Sequence, residues 1–128
     1  MRCLLDTYTF LWMIANHPQL SNTVKQILVD PSHDLYFSSV SAWEIAIKYR
    51  LGKLQLAQPP GQFIPDQVQL NRLTVLPVQM EHGLQVALLP DLHNDPFDRL
   101  LIAQAMLENL VLLSIDPVLK GYPVTILW

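Results

Sequence analysis

The sequence predicts an α/β fold in which helices cover both faces of a mainly parallel sheet. Short apolar runs alternate with longer stretches of helical periodicity, and parallel strands require crossovers of that kind. Hydrophobic residues make up 51% of the chain and charged residues only 15%, as expected when most strands are buried on both sides. A length of 128 residues suits one domain. We therefore expect a single domain over residues 1–128, a three-layer α/β/α sandwich with about five strands.

Each element follows from a local pattern. The predicted strands are short apolar runs near residues 2–5, 35–38, 73–76, 111–114 and 124–127. The predicted helices repeat apolar residues every three or four positions, near residues 7–16, 22–29, 41–51, 61–70, 81–89 and 96–109. Ser41 and Glu44 have the spacing of a capping box. In the fifth helix, Leu84, Ala87 and Leu88 are expected to face inward, and the sixth helix is apolar nearly all round, so it should lie inside the fold.

Composition narrows the possible settings of this protein. The single Cys3 excludes an internal disulfide and fits a reducing cytoplasm. Asp6 interrupts the first apolar run at once, which argues against a signal peptide, and no apolar run approaches the ~20 residues of a membrane span. The net charge of −3 provides no overall basic field. Any contact with nucleic acid must therefore come from a local patch.

Four acidic residues stand at the junctions between strands and helices. Asp6 follows the first strand, Glu44 belongs to the helix after the second strand, and Asp116 follows the fourth strand. The carboxyl ends of parallel strands meet at one edge of the sheet, so these three should converge there. Asp98 joins them if the sixth helix also begins at that edge. Each acid taken alone is equally well explained as a helix cap.

A cluster of this kind needs a counter-charge. Two carboxylates about 5 Å apart repel each other by ~3 kcal/mol at an effective dielectric constant of ~20. Carboxylate oxygens suit Mg²⁺ or Mn²⁺, whereas the four histidines lack the paired spacing of a zinc site. Such an ion can activate water for displacement at phosphorus. The chain has no glycine-rich phosphate loop and no nucleophile elbow. We therefore predict Mg²⁺ or Mn²⁺ as cofactor.

Three further residues are expected next to the acids. Asp95 is either the cap of the sixth helix or an outer partner of the site. Thr7 stands beside Asp6, and Ser114 precedes Asp116 by two positions. Either hydroxyl could orient a carboxylate or hold a water, and backbone capping is the alternative role.

The few basic residues bear on the substrate. Lys48, Arg50 and Lys53 form the only local cluster, and Arg99 adjoins Asp98. One interpretation is a patch that positions phosphate groups near the acids. The other is a solvated helix end whose charges complement the helix dipole.

Four sequence blocks together resemble a known family. They are LLDTYTFLW (4–12), SVSAWEIAIKYRLGKL (39–54), HNDPFDRLLIAQA (93–105) and LLSIDPVLKGYPV (112–124). They resemble PIN-domain ribonucleases, specifically the VapC toxins of bacterial toxin–antitoxin modules. The resemblance implies a compact α/β/α sandwich and endonucleolytic cleavage of RNA with Mg²⁺ or Mn²⁺. It also implies a homodimer or higher homo-oligomer and inhibition by a VapB-type antitoxin protein.

The resemblance also assigns residues by position. The family's acids fall on Asp6, Glu44, Asp98 and Asp116, and its extra acid and hydroxyl residue fall on Asp95 and Ser114. The sequence departs from the pattern in two places. Tyr8 stands where many relatives have His, and Asn94 stands where many have Arg.

Two other functions remain open at this point. A degenerate PIN domain would bind RNA or a protein without cutting. An acyl-phosphate enzyme or phospho-receiver would want paired acids after the first strand, where Asp6 stands alone. For a homodimer, the first two helices are the expected contact face.

Overall fold

The computed structural model describes residues 1–128 and contains one five-stranded sheet. The strands are β1 (Arg2–Leu5), β2 (Asp34–Ser38), β3 (Thr74–Leu76), β4 (Val111–Leu113) and β5 (Ile126–Leu127). Their order across the sheet is β3-β2-β1-β4-β5, and every neighbouring pair is parallel. The predicted α/β class and the mainly parallel five-stranded sheet are confirmed.

Six α-helices connect the strands. They are α1 (Thr7–Ala15), α2 (Asn22–Val29), α3 (Ser39–Arg50), α4 (Pro60–Leu70), α5 (Met80–Gln85) and α6 (Pro96–Glu108). Two short 3-10 helices follow at Val86–Leu88 and Pro117–Gly121. Asn16 and Asn109 end α1 and α6 in the left-handed conformation, which asparagine adopts more readily than most residues. No helix is both long and apolar enough to cross a bilayer.

The alternation of side chains along β1 builds two apolar cores. Cys3 and Leu5 point to one face of the sheet, where side chains from α1, α2 and α4 pack against them. Leu4 points to the opposite face and packs with residues of α6. Helices on both faces leave little of the central strands exposed, and all three of these side chains are fully buried. This burial accounts for the high apolar fraction of the sequence.

Helix α3 begins earlier than the sequence pattern predicted. Ser38 is its N-cap, with the side-chain oxygen accepting a hydrogen bond from the backbone N–H of Val40. The capping box predicted for Ser41 and Glu44 is therefore wrong, because both residues lie inside the helix. Glu44 stands in the second turn and is buried. A buried carboxylate at this position needs hydrogen-bond donors other than the backbone N–H groups at the start of a helix.

The inward face predicted for the fifth helix is also wrong. The side chains of Leu84 and Leu88 are 67% and 76% exposed, and Ala87 is exposed as well. The buried position belongs instead to His82, whose Nδ1 accepts a hydrogen bond from the backbone N–H of Gln79. Its Nε2 lies 2.9 Å from Glu108 Oε1 on α6. A hydrogen-bonded histidine thus decides which face of α5 turns inward.

One polar side chain of α6 lies within the apolar core. Gln104 of α6 is fully buried. Its Oε1 accepts a hydrogen bond from Ser38 Oγ at 2.5 Å, and its Nε2 donates to the carbonyl oxygen of Pro77 at 3.3 Å. Gln104 therefore ties α6 to the ends of β2 and β3. This contact fixes the position of α6 relative to the start of α3.

We predict that Gln104→Met lowers the free energy of unfolding by about 1–3 kcal/mol. Methionine fills a similar volume but leaves the Ser38 hydroxyl and the Pro77 carbonyl without that partner. Urea denaturation gives the value. Gln26→Met on the exposed side of α2 is the matched control, with an expected change within about 0.5 kcal/mol. Equal effects at both positions would contradict the structural role of Gln104.

Candidate active site

The structure brings five acidic side chains to one cleft of about 530 Å³. The order of the strands reverses at β1, which lies between β2 and β4, and the carboxyl ends of strands beside such a point form a crevice. Tyr8 and Trp12 also line this cleft. The acids are Asp6, Glu44, Asp95, Asp98 and Asp116.

Asp6 is the N-cap of α1 and lies at the bottom of the cleft. Its Oδ1 accepts a hydrogen bond from the backbone N–H of Thr9 at 2.8 Å. Burial raises the pKa of Asp6, hydrogen bonds from the side chains of Ser114 and Thr9 oppose that rise, and the charge of Glu44 adds to it. Asp6 therefore combines a capping role with a poorly compensated charge.

Glu44 is 4% exposed and both of its oxygens have donors. Thr7 Oγ1 donates to Oε1 over 2.6 Å, and Lys48 Nζ donates to Oε2 over 2.6 Å. Burial lowers the pKa of Lys48, but the hydrogen bond and charge of Glu44 outweigh it, so the pKa is raised overall. Thr7 thus orients a carboxylate, one of the two roles predicted for it.

Asp95 and Asp98 open helix α6. Asp95 is the N-cap, and its Oδ1 accepts from the backbone N–H groups of Phe97 and Asp98. Burial raises the pKa of Asp98 to about 7, and the charges of the other four acids add to that rise in the order Asp95, Asp6, Glu44, Asp116. The pKa of Asp98 thus depends on the charges of all the other acids in the cluster. The start of α6 lies at the carboxyl edge, as the convergence of the acids required.

Asp116 caps the second 3-10 helix. Its Oδ1 accepts from the backbone N–H of Val118 at 3.0 Å. Its own backbone N–H donates to Ser114 Oγ at 3.2 Å, and the Ser114 hydroxyl lies close enough to Asp6 to oppose the rise in its pKa. Ser114 therefore links the segments that follow β1 and β4.

The basic residues divide into two groups. Arg50 and Lys53 are exposed, and no hydrogen bond or ion pair holds either side chain within the chain. Arg99 lies beside Asp98 in sequence, but its guanidinium donates to the carbonyl oxygens of Pro90 and Val86 at 2.8 and 3.2 Å. The phosphate contact expected for Arg99 is not supported, since the fold already uses these donors.

His93 is a neighbour of the cluster that the sequence reasoning missed. Its Nε2 lies 3.4 Å from Asp98 Oδ2, and its Nδ1 lies 2.6 Å from the hydroxyl of Tyr122. A signal was available, because His93 opens the same sequence block as Asp95 and Asp98. The other partner, Tyr122, lies in the block 112–124 that also contains Asp116, but no local pattern pairs it with His93.

The donor chemistry of the cleft fits a hard divalent cation. All the candidate ligands are carboxylates, and the pKa of Asp98 is raised first by burial and then by the negative charge of the other four acids. As the side chains stand, no three His, Cys, Asp or Glu residues converge closely enough to hold one ion. Mg²⁺ keeps several of its waters and needs only one or two direct carboxylates. An ion in this cleft would therefore contact one or two of the acids directly and the others through its waters.

A parallel α/β sheet with an acidic crevice at its carboxyl edge defines the structural class. Within that class, the family model for the PIN domain matches residues 3–123. The chain therefore belongs to the PIN domain family.

One curated relative shares part of the sequence. Ribonuclease VapC16 of Mycobacterium tuberculosis (strain ATCC 25618 / H37Rv) is 37% identical over 71 residues. These residues are 52% of this chain and 49% of the relative, so the match spans about half the length of either protein.

Solved structures resemble the fold over almost the whole chain. VapBC2 from Rickettsia felis, bound to a DNA fragment from its promoter, has a TM-score of 0.74 at 17% identity, covering 100% of this chain and 99% of that chain. DNA-bound VapBC from Salmonella typhimurium gives 0.69 at 22%, and VapBC-1 from nontypeable Haemophilus influenzae gives 0.64 at 20%. Both cover 99% of this chain and 97% of theirs. At these identities the likeness shows the fold.

We predict that Asp98→Asn stabilises the protein in the presence of EDTA at about pH 8. The pKa of Asp98 is about 7 when folded and ~3.9 in an unfolded chain. The wild type therefore loses stability as pH rises between these values, because only the unfolded chain releases the proton readily. The linkage limit is about 4 kcal/mol. We expect on the order of 1–3 kcal/mol, because the side chain is 23% exposed and asparagine forgoes ~0.3–1 kcal/mol at the helix start.

Urea denaturation at several pH values measures this difference. The advantage of the variant should vanish near pH ~4, below which both states of the wild type carry a protonated Asp98. Asp66→Asn, at an exposed position of α4, is the control for a simple change of net charge. A variant less stable than the wild type at about pH 8 would contradict the raised pKa of Asp98.

Proposed function

We propose that this chain is a metal-dependent endoribonuclease and the toxin of a VapBC-type toxin–antitoxin pair, acting in the cytoplasm. The observation that carries the proposal is the acidic cleft, in which five carboxylates line one crevice and burial, together with the charges of the other four acids, raises the pKa of Asp98. Carboxylates gathered in this way need positive charge, and a hard divalent cation can supply it. The similarity to Ribonuclease VapC16 supports the activity, and the similarity to the VapBC structures supports the assignment to a toxin–antitoxin pair.

Asp6, Asp98 and Asp116, with Glu44, would hold Mg²⁺ or Mn²⁺. The bound ion would supply positive charge at the scissile phosphate and lower the pKa of an attacking water. Asp6 and Asp116 each have one oxygen fixed by a backbone N–H, so their carboxylates are already oriented. Carboxylates that are already oriented lose no further side-chain freedom when the substrate binds.

The remaining polar residues of the cleft hold the acids in place. Thr7 fixes Glu44, and Ser114 connects Asp6 with the backbone of Asp116. Asp95 caps α6 and adds negative charge next to Asp98. Outer partners of this kind set the orientation and basicity of metal ligands. We assign Thr7, Ser114 and Asp95 to this supporting role.

The mouth of the cleft suits a single-stranded nucleic acid. The ring of Tyr8 is 50% exposed and lies at the rim, where an exposed ring can stack on a base. Lys48 Nζ lies 5.0 Å from the centre of that ring. Arg50 and Lys53 follow with free, exposed side chains. We propose that these two contact the RNA backbone, with Lys48 close to the cleaved phosphate.

This chain has an apolar surface beside the cleft, and we propose that the antitoxin binds there. An apolar groove of about 330 Å³ shares Tyr8 and Trp12 with the acidic cleft. A protein segment seated in this groove would lie against the rim through which RNA must enter. The remaining residues of the groove are Leu11, Ile14, Ala15, Leu54, Gln55, Leu56, Ala57 and Phe63. A homo-oligomer also remains part of the proposal, and light scattering tests it.

We predict that Asp6→Asn abolishes Mn²⁺-dependent cleavage of single-stranded RNA. Loss of a ligand should cost more than the roughly 10–100-fold typical of an outer partner. Cleavage is followed on a panel of labelled RNAs with Mn²⁺, with Mg²⁺ and with EDTA. Asp66→Asn carries the same charge change on an exposed surface and should cleave like the wild type. If wild-type protein binds these RNAs yet cuts none with either metal, the binding-only alternative is correct.

We predict that Arg50→Gln and Lys53→Gln each weaken RNA binding and reduce the dependence of that binding on salt concentration. Each lost phosphate contact should reduce the slope of log K against log salt by ~0.7 for a single strand. Titrations at several salt concentrations, with Ca²⁺ to suppress cleavage, give the slope. Lys25→Gln on α2 is the control and should leave the slope unchanged. Slopes unaffected at all three positions would place the RNA elsewhere.

A further inference from the structure

Asp98 faces a line of three side chains that has no part in the function proposed above. The ring of His93 lies beside it, with Nε2 3.4 Å from Asp98 Oδ2. On the other side of the ring, Nδ1 lies 2.6 Å from the hydroxyl of Tyr122. Arg99 Nη1 donates a hydrogen bond to the same hydroxyl over 3.1 Å. A continuous line of polar contacts thus runs from Arg99 to Asp98.

The direction of these hydrogen bonds follows from the donor that begins the line. An arginine can only donate, so the Tyr122 oxygen must accept from Arg99. Tyr122 is 4% exposed, and His93 Nδ1 is the only acceptor that its hydroxyl contacts. A buried hydroxyl that donated to nothing would cost about 1–3 kcal/mol. Tyr122 therefore donates to Nδ1, which leaves the single proton of a neutral His93 on Nε2, facing Asp98.

We propose that Arg99 and Tyr122 fix His93 as the Nε2–H tautomer, and that His93 is thereby a positioning residue that orients Asp98 toward a divalent cation. The metal part of this inference rests on the proposed function. The side-chain hydrogen bonds of Asp98 involve Oδ2 alone, so Oδ1 is available to a cation. A ligand held at one oxygen and free at the other is a common arrangement around metal sites.

The line is rigid because its first member is anchored to the backbone. Arg99 donates to the carbonyl oxygens of Pro90 and Val86 as well as to Tyr122. The rings of His93 and Tyr122 meet edge to face, with centres 5.4 Å apart and planes inclined at 68°. Rotation of His93 would break both contacts of its ring.

The line also joins two parts of the candidate site. Tyr122 directly follows the 3-10 helix that Asp116 begins, whereas His93 precedes the helix that carries Asp98. The contact between Tyr122 and His93 therefore sets the separation of two candidate ligands. This role accounts for the burial of Tyr122.

Nitrogen NMR tests the tautomer directly. Ring ¹⁵N signals recorded near pH 8 should show His93 protonated on Nε2 and not on Nδ1. The His93 signals are assigned by their loss in His93→Gln. Tyr122→Phe should convert His93 to a mixture of tautomers, whereas Tyr36→Phe in β2 should leave its signals unchanged. A wild-type His93 protonated on Nδ1 would overturn the inference.

Mn²⁺ binding tests the consequence for Asp98. Calorimetry with Mn²⁺ alone should show affinity about tenfold weaker in Tyr122→Phe and unchanged in Tyr36→Phe. His93→Gln keeps a side-chain N–H for Asp98, so it should bind Mn²⁺ more tightly than His93→Leu. If Tyr122→Phe does not fold, the comparison of His93→Gln with His93→Leu tests the role of His93. Equal affinities within both comparisons would overturn the role of His93.

Neither measurement uses RNA, so the two proposals can fail separately. If the wild type cleaves no RNA but the tautomer and the Mn²⁺ affinities follow the expected pattern, the nuclease assignment is wrong and the role of His93 stands. If RNA is cleaved and the affinities of all these variants equal that of the wild type, the role of His93 is wrong and the nuclease assignment stands.

Discussion

Repulsion among five carboxylates in one crevice is the constraint to which the rest of the structure responds. Burial and neighbouring charge raise the pKa of Asp6 and Asp98, so the cluster works against folding. One ammonium group, that of Lys48, offsets this charge by a hydrogen bond to Glu44. The other donors to the cluster, such as the hydroxyl of Thr7, are neutral. The apolar cores on both faces of the sheet must hold the elements together against this repulsion.

Capping and clustering are achieved by the same side chains. Asp6, Asp95 and Asp116 are the N-caps of three helices, and each cap contributes about 1 kcal/mol to stability. Those contributions offset part of the repulsion and fix one oxygen of each carboxylate. A capping role is therefore no argument against a role in the site. The geometry that ends a strand and begins a helix also aims the acid into the crevice.

The sequence predicted the elements and the acids because both depend on local pattern and on the logic of parallel sheets. It misplaced the start of α3, because Ser38 and Ser41 are both plausible caps and the contact of Ser38 with Gln104 is tertiary. It predicted the wrong buried face for α5, because the burial of His82 depends on a contact with Glu108, which is distant in sequence. It offered phosphate binding as one role for Arg99, because the carbonyl oxygens that accept hydrogen bonds from Arg99 belong to Val86 and Pro90, in the segment before α6. Contacts across the fold leave no local trace in the sequence.

The outer strands of the sheet are short, with three residues in β3 and two in β5. Each exposes few backbone N–H and C=O groups to solvent. A partner that binds by β-augmentation would therefore gain few main-chain hydrogen bonds at either edge. The same shortness discourages copies of the protein from joining edge to edge into fibrils. Recognition of this protein must depend on the shape and chemistry of its side chains.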